Sequence, residues 1–516
     1  MLHSSIDDVD YLSLSRREEP LSNTDNAFVA HQVAMADQDM DTLGQDIASL
    51  SKRVTDLRIQ LAQLSAQKDK CSSLSTPIRR LPNIALARIF KHVCQSGISL
   101  VHSPKSFEIP PLILSHVCYK WRSVVQMPAN GLLWSSITLD LTRIPSSLPF
   151  LQLATMQDLD LAVSHVLSMA LPEVNSHPET YSLSIVIRAD EATDPPRPVC
   201  RLFRYMDRWR RAELYVHQKY FAFKDWITTP SILQHLVLHL TGKSFSLQDD
   251  VTIFSNADKL TELDFQDMDY HVDTTVFAFR WEKLKRLTLS GALLEQVFEI
   301  LPKLQTELSY LKLDVVDRQY EEDMVARIHT TFANLRTLVL GCLCWSPEVY
   351  KALFDATSAP NLTSLSLQAP LVPKSQMKVL GSPSSCLLGL PYIKFLKRSS
   401  SSLQWLSIRG VVINETTLVT SLLSLNRLTK LYLAQHYEQT FPNISEVFVA
   451  ALAVDKDGPN LLPKLENLEL KTKMELLEPF KALVSSRQIP GINVTLLKRA
   501  QFNTRNVLHL TTLIKS

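Results

Sequence analysis

The sequence predicts an α/β solenoid that follows a long helix and a group of three short helices. The strongest evidence is a set of apolar patterns of the form Leu-x-x-Leu-x-Leu, or near it, after Trp134. Most neighbouring patterns start about 24 to 27 residues apart, which is the period of a repeat built from one strand and one helix. Such a unit cannot bury its own apolar face, so neighbouring units stack and share a core. The nine patterns begin at Leu233, Leu260, Leu284, Leu308, Leu335, Leu362, Leu403, Leu428 and Leu465.

The amino-terminal region divides into a tail and a helix. Residues 1–35 mix charged residues, serine and asparagine with few apolar side chains, which is typical of a disordered segment. Residues 36–72 have apolar side chains at alternating spacings of three and four, which predicts a coiled-coil-like helix. A parallel homodimer would set Arg53 against Arg58 of its partner, so a homodimer is not favoured; packing of the helix on its own chain is the alternative. The apolar positions are Met40, Leu43, Ile47, Leu50, Val54, Leu57, Leu61 and Leu64.

Three short helices are predicted within residues 76–138. The first follows the step Leu81-Pro82, because proline suits the first turn of a helix. The second begins at Pro110, and the third contains Trp121. Three helices of this length make a small core, so a partner is expected to cover part of their apolar surface. Periodicity alone does not distinguish that interface from ordinary core.

This segment resembles an F-box, with an Ile-x-x-Leu-Pro opening, a Val-Cys-x-x-Trp helix and a closing Leu-Trp. Two departures are Asn83, where an acidic residue is common, and a long segment between the first and second helices. With the preceding helix and the repeats, the layout resembles F-box proteins that are abundant in mushroom-forming fungi. The resemblance implies that the Skp adaptor is bound by Leu81, Pro82, Ile84, Leu86, Ile89, Phe90, Val117, Cys118 and Trp121.

Residues 139–500 are then predicted to be a degenerate leucine-rich-repeat domain, and residues 501–516 a C-terminal segment. Runs at 183–187 and 212–216 look like earlier strands of the same array. Between the strands, residues 275–279, 324–332 and 349–356 are compatible with helices. The asparagine or cysteine that usually occupies the ninth position of the repeat is absent from all nine patterns. No asparagine ladder therefore orders the turns, and we expect an irregular horseshoe of uneven repeats.

The sheet face opposite the leucines is the expected substrate surface. Side chains alternate along a strand, so the residues between the leucines point away from the core. Trp405, Arg409 and Tyr432 would lie on adjacent repeats, and these residue types are the most enriched in binding hot spots. The full set of expected substrate-binding residues is Asp264, Tyr310, Lys312, Trp405, Arg409, Lys430, Tyr432 and Glu469.

Composition excludes several other classes of protein. The chain has 54 basic and 52 acidic side chains, so it has no global electrostatic footprint for nucleic acid. The polar, acidic first twenty residues lead us to expect no signal peptide, and no apolar run is long enough to cross a bilayer. The seven cysteines are scattered, which favours a reducing compartment, the cytoplasm or the nucleus.

Candidate catalytic, cofactor and metal motifs are weak. No nucleophile or acid–base arrangement has a recognisable signature, and no glycine-rich phosphate loop occurs, so we expect neither catalysis nor a cofactor. His235 and His239 fall in a strand, where four residues span about 13 Å, too far for one metal ion. Four arginines have helical spacing and are interpreted as a solvated helix face, with a nucleic-acid stripe as the alternative. They are Arg201, Arg204, Arg208 and Arg211.

The sequence therefore supports two functions. In the first, which the resemblance implies, the chain is a non-catalytic substrate receptor of a Skp–cullin–F-box ubiquitin ligase. It would bind the Skp adaptor through the box and an unknown protein substrate through the repeats, and the cullin scaffold would be a further partner. In the second, it is an interaction scaffold outside any ligase, and the box is a helical cap on the solenoid.

Overall fold

The computed structural model divides into two compact units, Met1–Ala85 and Leu86–Ser516. It describes residues 16, 20, 22–74, 77–101, 107–142, 149–171, 181–189, 195–222, 228–242, 251–267, 274–304, 307–316, 329–342, 347–369, 387–434, 444–454, 460–472, 474–488, 494–504 and 507–513.

The first unit is dominated by one helix, α1 (Asn23–Leu74), of 52 residues. This helix begins well before residue 36, so the predicted tail of residues 1–35 is too long. Local capping explains the early start, because the backbone N–H of Asp25 donates to Ser22 Oγ at 3.2 Å and Ser22 Oγ donates to Asp25 Oδ2 at 2.7 Å. Serine before the first turn and a carboxylate three residues later are a helix-start signal.

Three short helices occupy the positions predicted from the box pattern: α2 (Asn83–Val93), α3 (Pro110–Val117) and α4 (Tyr119–Gln126). Phe90 of α2 packs on Trp121 of α4 with ring centroids 4.9 Å apart. Trp134 is buried, and its indole N–H donates to the carbonyl of Val125 at 3.3 Å. The second unit therefore builds a helical core that includes Trp121 and Trp134 of the box pattern.

The segment between the first two of these helices is the start of the main sheet. Strand β1 (Ile98–Val101) pairs with β2 (Phe107–Glu108) in antiparallel fashion and with β3 (Ser136–Asp140) in parallel. The sheet thus begins inside residues 76–138 instead of after them. The predicted boundary at residue 139 does not separate helices from sheet.

The sheet has 16 strands, and their order follows the chain apart from the reversal of β1 and β2 and the omission of short strands that pair elsewhere. It is parallel throughout, except for antiparallel pairs at its two ends. This is the topology of a solenoid. The later strands are β4 (Leu183–Ala189), β5 (Trp209–His217), β6 (His235–Thr241), β7 (Glu262–Asp267), β8 (Arg286–Leu293), β9 (Tyr310–Val316), β11 (Thr337–Cys342), β13 (Ser364–Gln368), β15 (Trp405–Arg409), β17 (Lys430–Ala434), β18 (Asn467–Lys471), β19 (Arg499–Thr504) and β20 (Val507–Leu513).

Two small parallel sheets and a series of helices lie between these strands. The small sheets pair β10 (Thr330–Thr331) with β12 (Thr357–Ser358), and β14 (Leu387–Leu388) with β16 (Val412–Ile413). The helices are α5 (Pro149–Ala170), α6 (Arg197–Phe203), α7 (Leu294–Ile300), α8 (Pro347–Ala356), α9 (Leu390–Ser399), α10 (Glu415–Leu423), α11 (Glu446–Leu452) and α12 (Leu477–Ser486).

All nine predicted repeat strands form, and their leucines make the shared core. Leu311 pairs with Leu338, and Leu365 pairs with Leu406, in the same register from strand to strand. These side chains are at most 1% exposed. The period-two alternation in the sequence therefore predicts the buried face correctly.

Some predicted helices and domain boundaries differ from the structure or lie outside the described residues. Residues 275–279, predicted to suit a helix, contain only a 3₁₀ turn at Thr274–Val276. Most of the helix-compatible run 324–332 lies outside the described residues. Strand β19 crosses the predicted boundary at residue 500, and β20 continues the sheet into the predicted C-terminal segment.

The predicted arginine stripe does not lie on one helix. Arg201 is in α6, where its guanidinium makes two hydrogen bonds of 2.7 Å to the carboxylate of Asp160. Hydrogen bonding to Arg201 is the largest of the effects that lower the pKa of Asp160. Arg208 is buried in a 3₁₀ turn, and Arg211 lies on β5. These arginines therefore do not form one continuous helix face.

Hydroxyl groups link successive repeats just before their strands. Thr261, Ser309, Thr363 and Thr429 each donate their side-chain hydroxyl to the backbone carbonyl at the equivalent position of the preceding repeat, at 3.0–3.3 Å. These bonds stabilise the stacking of repeats at the start of the strands. The sequence analysis, which looked for an asparagine ladder after the strands, missed them.

Replacing Thr363 and Thr429 by valine should each lower the free energy of unfolding by about 0.5–1.5 kcal/mol, because each variant loses one hydrogen bond between repeats. The positions lie two strands apart, so the double variant should lose about the sum. Chemical denaturation measures this. Thr288→Val, on the opposite face of the sheet, is the control and should change little. An equal loss in the control would contradict a role for the hydroxyl links.

Candidate protein-binding surfaces

The side chains that alternate with the core leucines form one face of the main sheet, which we call the outward face. Parallel register aligns them in rows across the strands. One row, for example, runs from Asp264 through Thr288 to Lys312. All eight predicted substrate-binding residues lie on this face, at the alternating positions of β7, β9, β15, β17 and β18.

Five of them form a cluster near the carboxyl-terminal end of the sheet, the aromatic–arginine cluster: Trp405, Arg409, Lys430, Tyr432 and Glu469. Trp405 pairs with Lys430 across β15 and β17, and Tyr432 pairs with Glu469 across β17 and β18. The guanidinium carbon of Arg409 lies 4.6 Å from the centroid of the Tyr432 ring. Trp405 remains 38% exposed. The prediction that Trp405, Arg409 and Tyr432 lie on adjacent repeats is confirmed, because β15 pairs with β17.

The other three predicted residues lie on the middle of the outward face. The ammonium of Lys312 is 2.9 Å from Asp314 Oδ2. Partial burial lowers the pKa of Lys312, but its hydrogen bond to Asp314 and the charge of that carboxylate outweigh the burial, and the pKa is raised. The guanidinium of Arg286 lies 4.3 Å from the Tyr310 ring centroid. Asp264 accepts a hydrogen bond of 3.1 Å from Gln266.

Sequence reasoning missed a second polar region on the amino-terminal strands. Tyr215 and His239 stack with ring centroids 4.0 Å apart and planes 10° apart. Arg188 lies over the opposite side of the stack, 5.2 Å from the Tyr215 centroid. Burial lowers the pKa of His239, and the charges of Asp264 and Glu213 oppose that shift.

A groove of about 460 Å³ lies at the starting ends of β4 to β7. In it, His235 Nδ1 is 2.9 Å from Glu262 Oε2, and a terminal nitrogen of Arg211 is 3.5 Å from His235 Nε2. His235 and His239 therefore contact different residues, as their spacing along one strand predicts. Their cross-strand partners could not be predicted, because the sequence of one repeat does not determine its register with the next, irregular repeat.

Small buried side chains separate the two regions of the outward face. Ser364 and Ser366 on β13 occupy outward positions, yet they are 7% and 2% exposed. Val339 on β11 is also buried. The exposed outward face thus consists of a charged part on β4 to β9 and the aromatic–arginine cluster on β15 to β18.

The box helices present a different, apolar surface. Ile89, Ile113 and Val117 are 39%, 65% and 54% exposed. Leu86 and Phe90 are fully buried, so their prediction as adaptor-contacting residues is wrong. Both point into the chain's own core because they lie four residues apart on one face of α2. Val93, Ile113 and Tyr119 are exposed apolar or aromatic residues that the motif did not single out.

The remaining predicted adaptor-binding residues vary in exposure. Cys118, which joins α3 to α4, and Trp121 are partly exposed. Leu81, Pro82 and Ile84 lie in the first unit, where Leu81 is partly buried and Ile84 is 73% exposed.

Among the described helices, none has the length and apolar character needed to cross a membrane. Within the part of the chain that the structure describes, no group of three or more histidine, cysteine, aspartate or glutamate side chains could hold a metal ion.

No family model matches the chain, and no curated protein does either. Among solved structures, an internalin from Listeria monocytogenes is similar at 15% identity, a TM-score of 0.31, and 70% coverage of this chain and 94% of that one. A leucine-rich-repeat protein of Leptospira interrogans is similar at 14% identity, a TM-score of 0.18, and 58% and 88% coverage. The repeat architecture is established by the strand order and register described above, and not by these structures, whose TM-scores are low.

Proposed function

We propose that this chain is a non-catalytic protein-interaction subunit that captures a protein substrate on the outward face of its sheet. The observation that carries this proposal is the aromatic–arginine cluster. It has Trp405, Tyr432 and Arg409, all at least partly exposed, on two paired strands of the sheet. Aromatic and arginine side chains held in this way dominate the energetics of protein interfaces.

The finer proposal is that the chain is a substrate receptor of a Skp–cullin–F-box ubiquitin ligase. Its support is the F-box resemblance together with the apolar side chains that remain exposed on α2 and α3, notably Ile89, Ile113 and Val117. In this proposal these residues bind the Skp adaptor, which links the chain to the cullin scaffold in the cytoplasm or nucleus. Other subunits carry out ubiquitin transfer, and the chain contributes proximity between substrate and transfer machinery.

One observation favours the rival scaffold function. Strands β1 to β3 are interspersed along the chain with α2 to α4 and pair within the main sheet. The box-like helices are therefore built into the first turns of the solenoid, as a cap would be. Binding of the Skp adaptor separates the two functions, since only the ligase subunit requires it.

Val117→Lys should weaken binding of a Skp-type adaptor by tenfold or more, because it replaces an exposed apolar contact with a charge. Binding of the purified chain to the purified adaptor measures this. His116→Lys is the matched control, since it adds the same side chain at the neighbouring exposed position and should bind normally. Wild-type chain that fails to bind the adaptor would refute the ligase function and leave the scaffold function standing.

A further inference from the structure

Helix α1 exposes an apolar stripe along about half of its length, in the middle of the helix. Its 52 residues span about 78 Å at 1.5 Å per residue. The stripe recurs with heptad spacing, which is the pattern of a helix that packs on another helix. Its members are 47–69% exposed: Met40, Leu43, Ile47, Leu50, Val54, Leu57, Leu61 and Leu64. An exposed apolar surface of this extent is typical of an interaction site.

The charges of α1 are divided between its two halves. The first half, residues 23–48, has five aspartates and neither lysine nor arginine. The second half, residues 49–74, has five lysine or arginine residues and two aspartates. A helix that is acidic at one end and basic at the other attracts a copy of itself that runs in the opposite direction.

We propose that α1 forms an antiparallel coiled coil with α1 of a second copy of this chain. Ile47 would pack against Leu50 of the other copy at the centre. Moving outward, Leu43 would pack against Val54, and Met40 against Leu57. Because a twofold interface is self-complementary, each of these contacts occurs twice.

The positions that flank the apolar stripe select this arrangement. In it, Asp46 faces Arg53 of the other copy, and Asp37 faces Arg58, so four ion pairs form across the twofold axis. The remaining flanking contacts between residues 30 and 67 involve no pair of like charges. Flanking charges of this kind set the orientation of coiled-coil partners.

Competing arrangements bring like charges together. A parallel dimer places Arg53 against Arg58. In the antiparallel dimer, sliding one copy by a heptad places either Arg53 against Arg53 or Asp46 against Asp46. The proposed register avoids all three contacts, which is why we favour a second copy of this chain as the occupant of the stripe.

Cysteine cross-linking tests both orientation and register. In the proposed dimer, position 26 packs against Cys71 of the other copy, within reach of a disulfide. Mild oxidation of full-length Asn26→Cys should give a covalent dimer, and Asn26→Cys/Cys71→Ser should not. A covalent dimer of the wild-type chain that Cys71→Ser abolishes would indicate a parallel coil and overturn the proposal.

Charge reversal provides an independent test by sedimentation of the full chain. Arg53→Asp should weaken the dimer by about tenfold, since it turns two attractive contacts into repulsive ones. Asp46→Arg/Arg53→Asp exchanges the two charges and should restore wild-type affinity. A monomeric wild-type chain, or an Arg53→Asp variant that dimerises more tightly, would overturn the antiparallel dimer.

Discussion

Replacing Trp405 and Tyr432 together by alanine is expected to abolish capture of the protein substrate while leaving the fold intact. Truncating a hot-spot residue costs about 2 kcal/mol or more of binding free energy, or about thirtyfold in affinity. Both residues lie on the outward face, and Trp405 is 38% exposed, so the double variant should unfold at nearly the wild-type temperature. Comparative affinity purification, with the proteasome blocked, measures the captured proteins.

The matched control is Tyr215→Ala. Tyr215 is also an aromatic residue on the outward face and stacks on a neighbour, but it lies on β5, far along the sheet from β15. This variant should keep the substrate. An unchanged set of captured proteins in the Trp405/Tyr432 variant would place the binding surface elsewhere, and loss of folding would mean that the two side chains support the core.

Arg487→Met is expected to lower the free energy of unfolding by about 3 kcal/mol or more, the largest effect on stability that we predict for a single residue. Arg487 is 2% exposed. Its guanidinium donates to the carbonyls of Leu452, Leu461 and Leu462 at 2.9, 2.6 and 3.2 Å. Methionine fills similar volume but leaves three carbonyls without this donor.

The backbone explains why this arginine matters. Leu462 has a positive φ of 53°, which is unfavourable for a residue with a side chain. Arg487, which directly follows helix α12, therefore binds a strained turn. Burial lowers the pKa of its guanidinium to about 10. Arg427→Met, at an exposed position, is the control in chemical denaturation. A loss below about 1 kcal/mol for Arg487→Met would show that the turn holds its conformation without the arginine.

The sequence predicts the repeat strands well because one physical rule governs them. Leucines at alternating positions must face the shared core, so Trp405 and Tyr432 must face outward. Their proximity follows from the similar starts of two consecutive repeats. The same rule places Lys312 and Asp264 on one face without revealing that Lys312 pairs with Asp314.

The sequence fails where several structures satisfy the same pattern. Leu86 and Phe90 have the spacing of an apolar stripe, and nothing in that spacing distinguishes the chain's own core from a partner's surface. The strand at Ile98–Val101 is only four residues long, too short for an alternating pattern to stand out. Nothing in the sequence indicates the structural role of Arg487, because its partners are backbone carbonyls that are distant in sequence.

The most direct test of the proposed function is whether one molecule of the chain bridges adaptor and substrate through separate surfaces. Affinity purification with the proteasome blocked would compare the wild-type chain, Val117→Lys and the Trp405→Ala/Tyr432→Ala variant. The wild type should capture a Skp-type adaptor and a protein substrate together. Val117→Lys should lose the adaptor and keep the substrate, and the double variant should do the reverse. Loss of both partners in either variant, or a wild-type chain that captures no adaptor, would contradict the account.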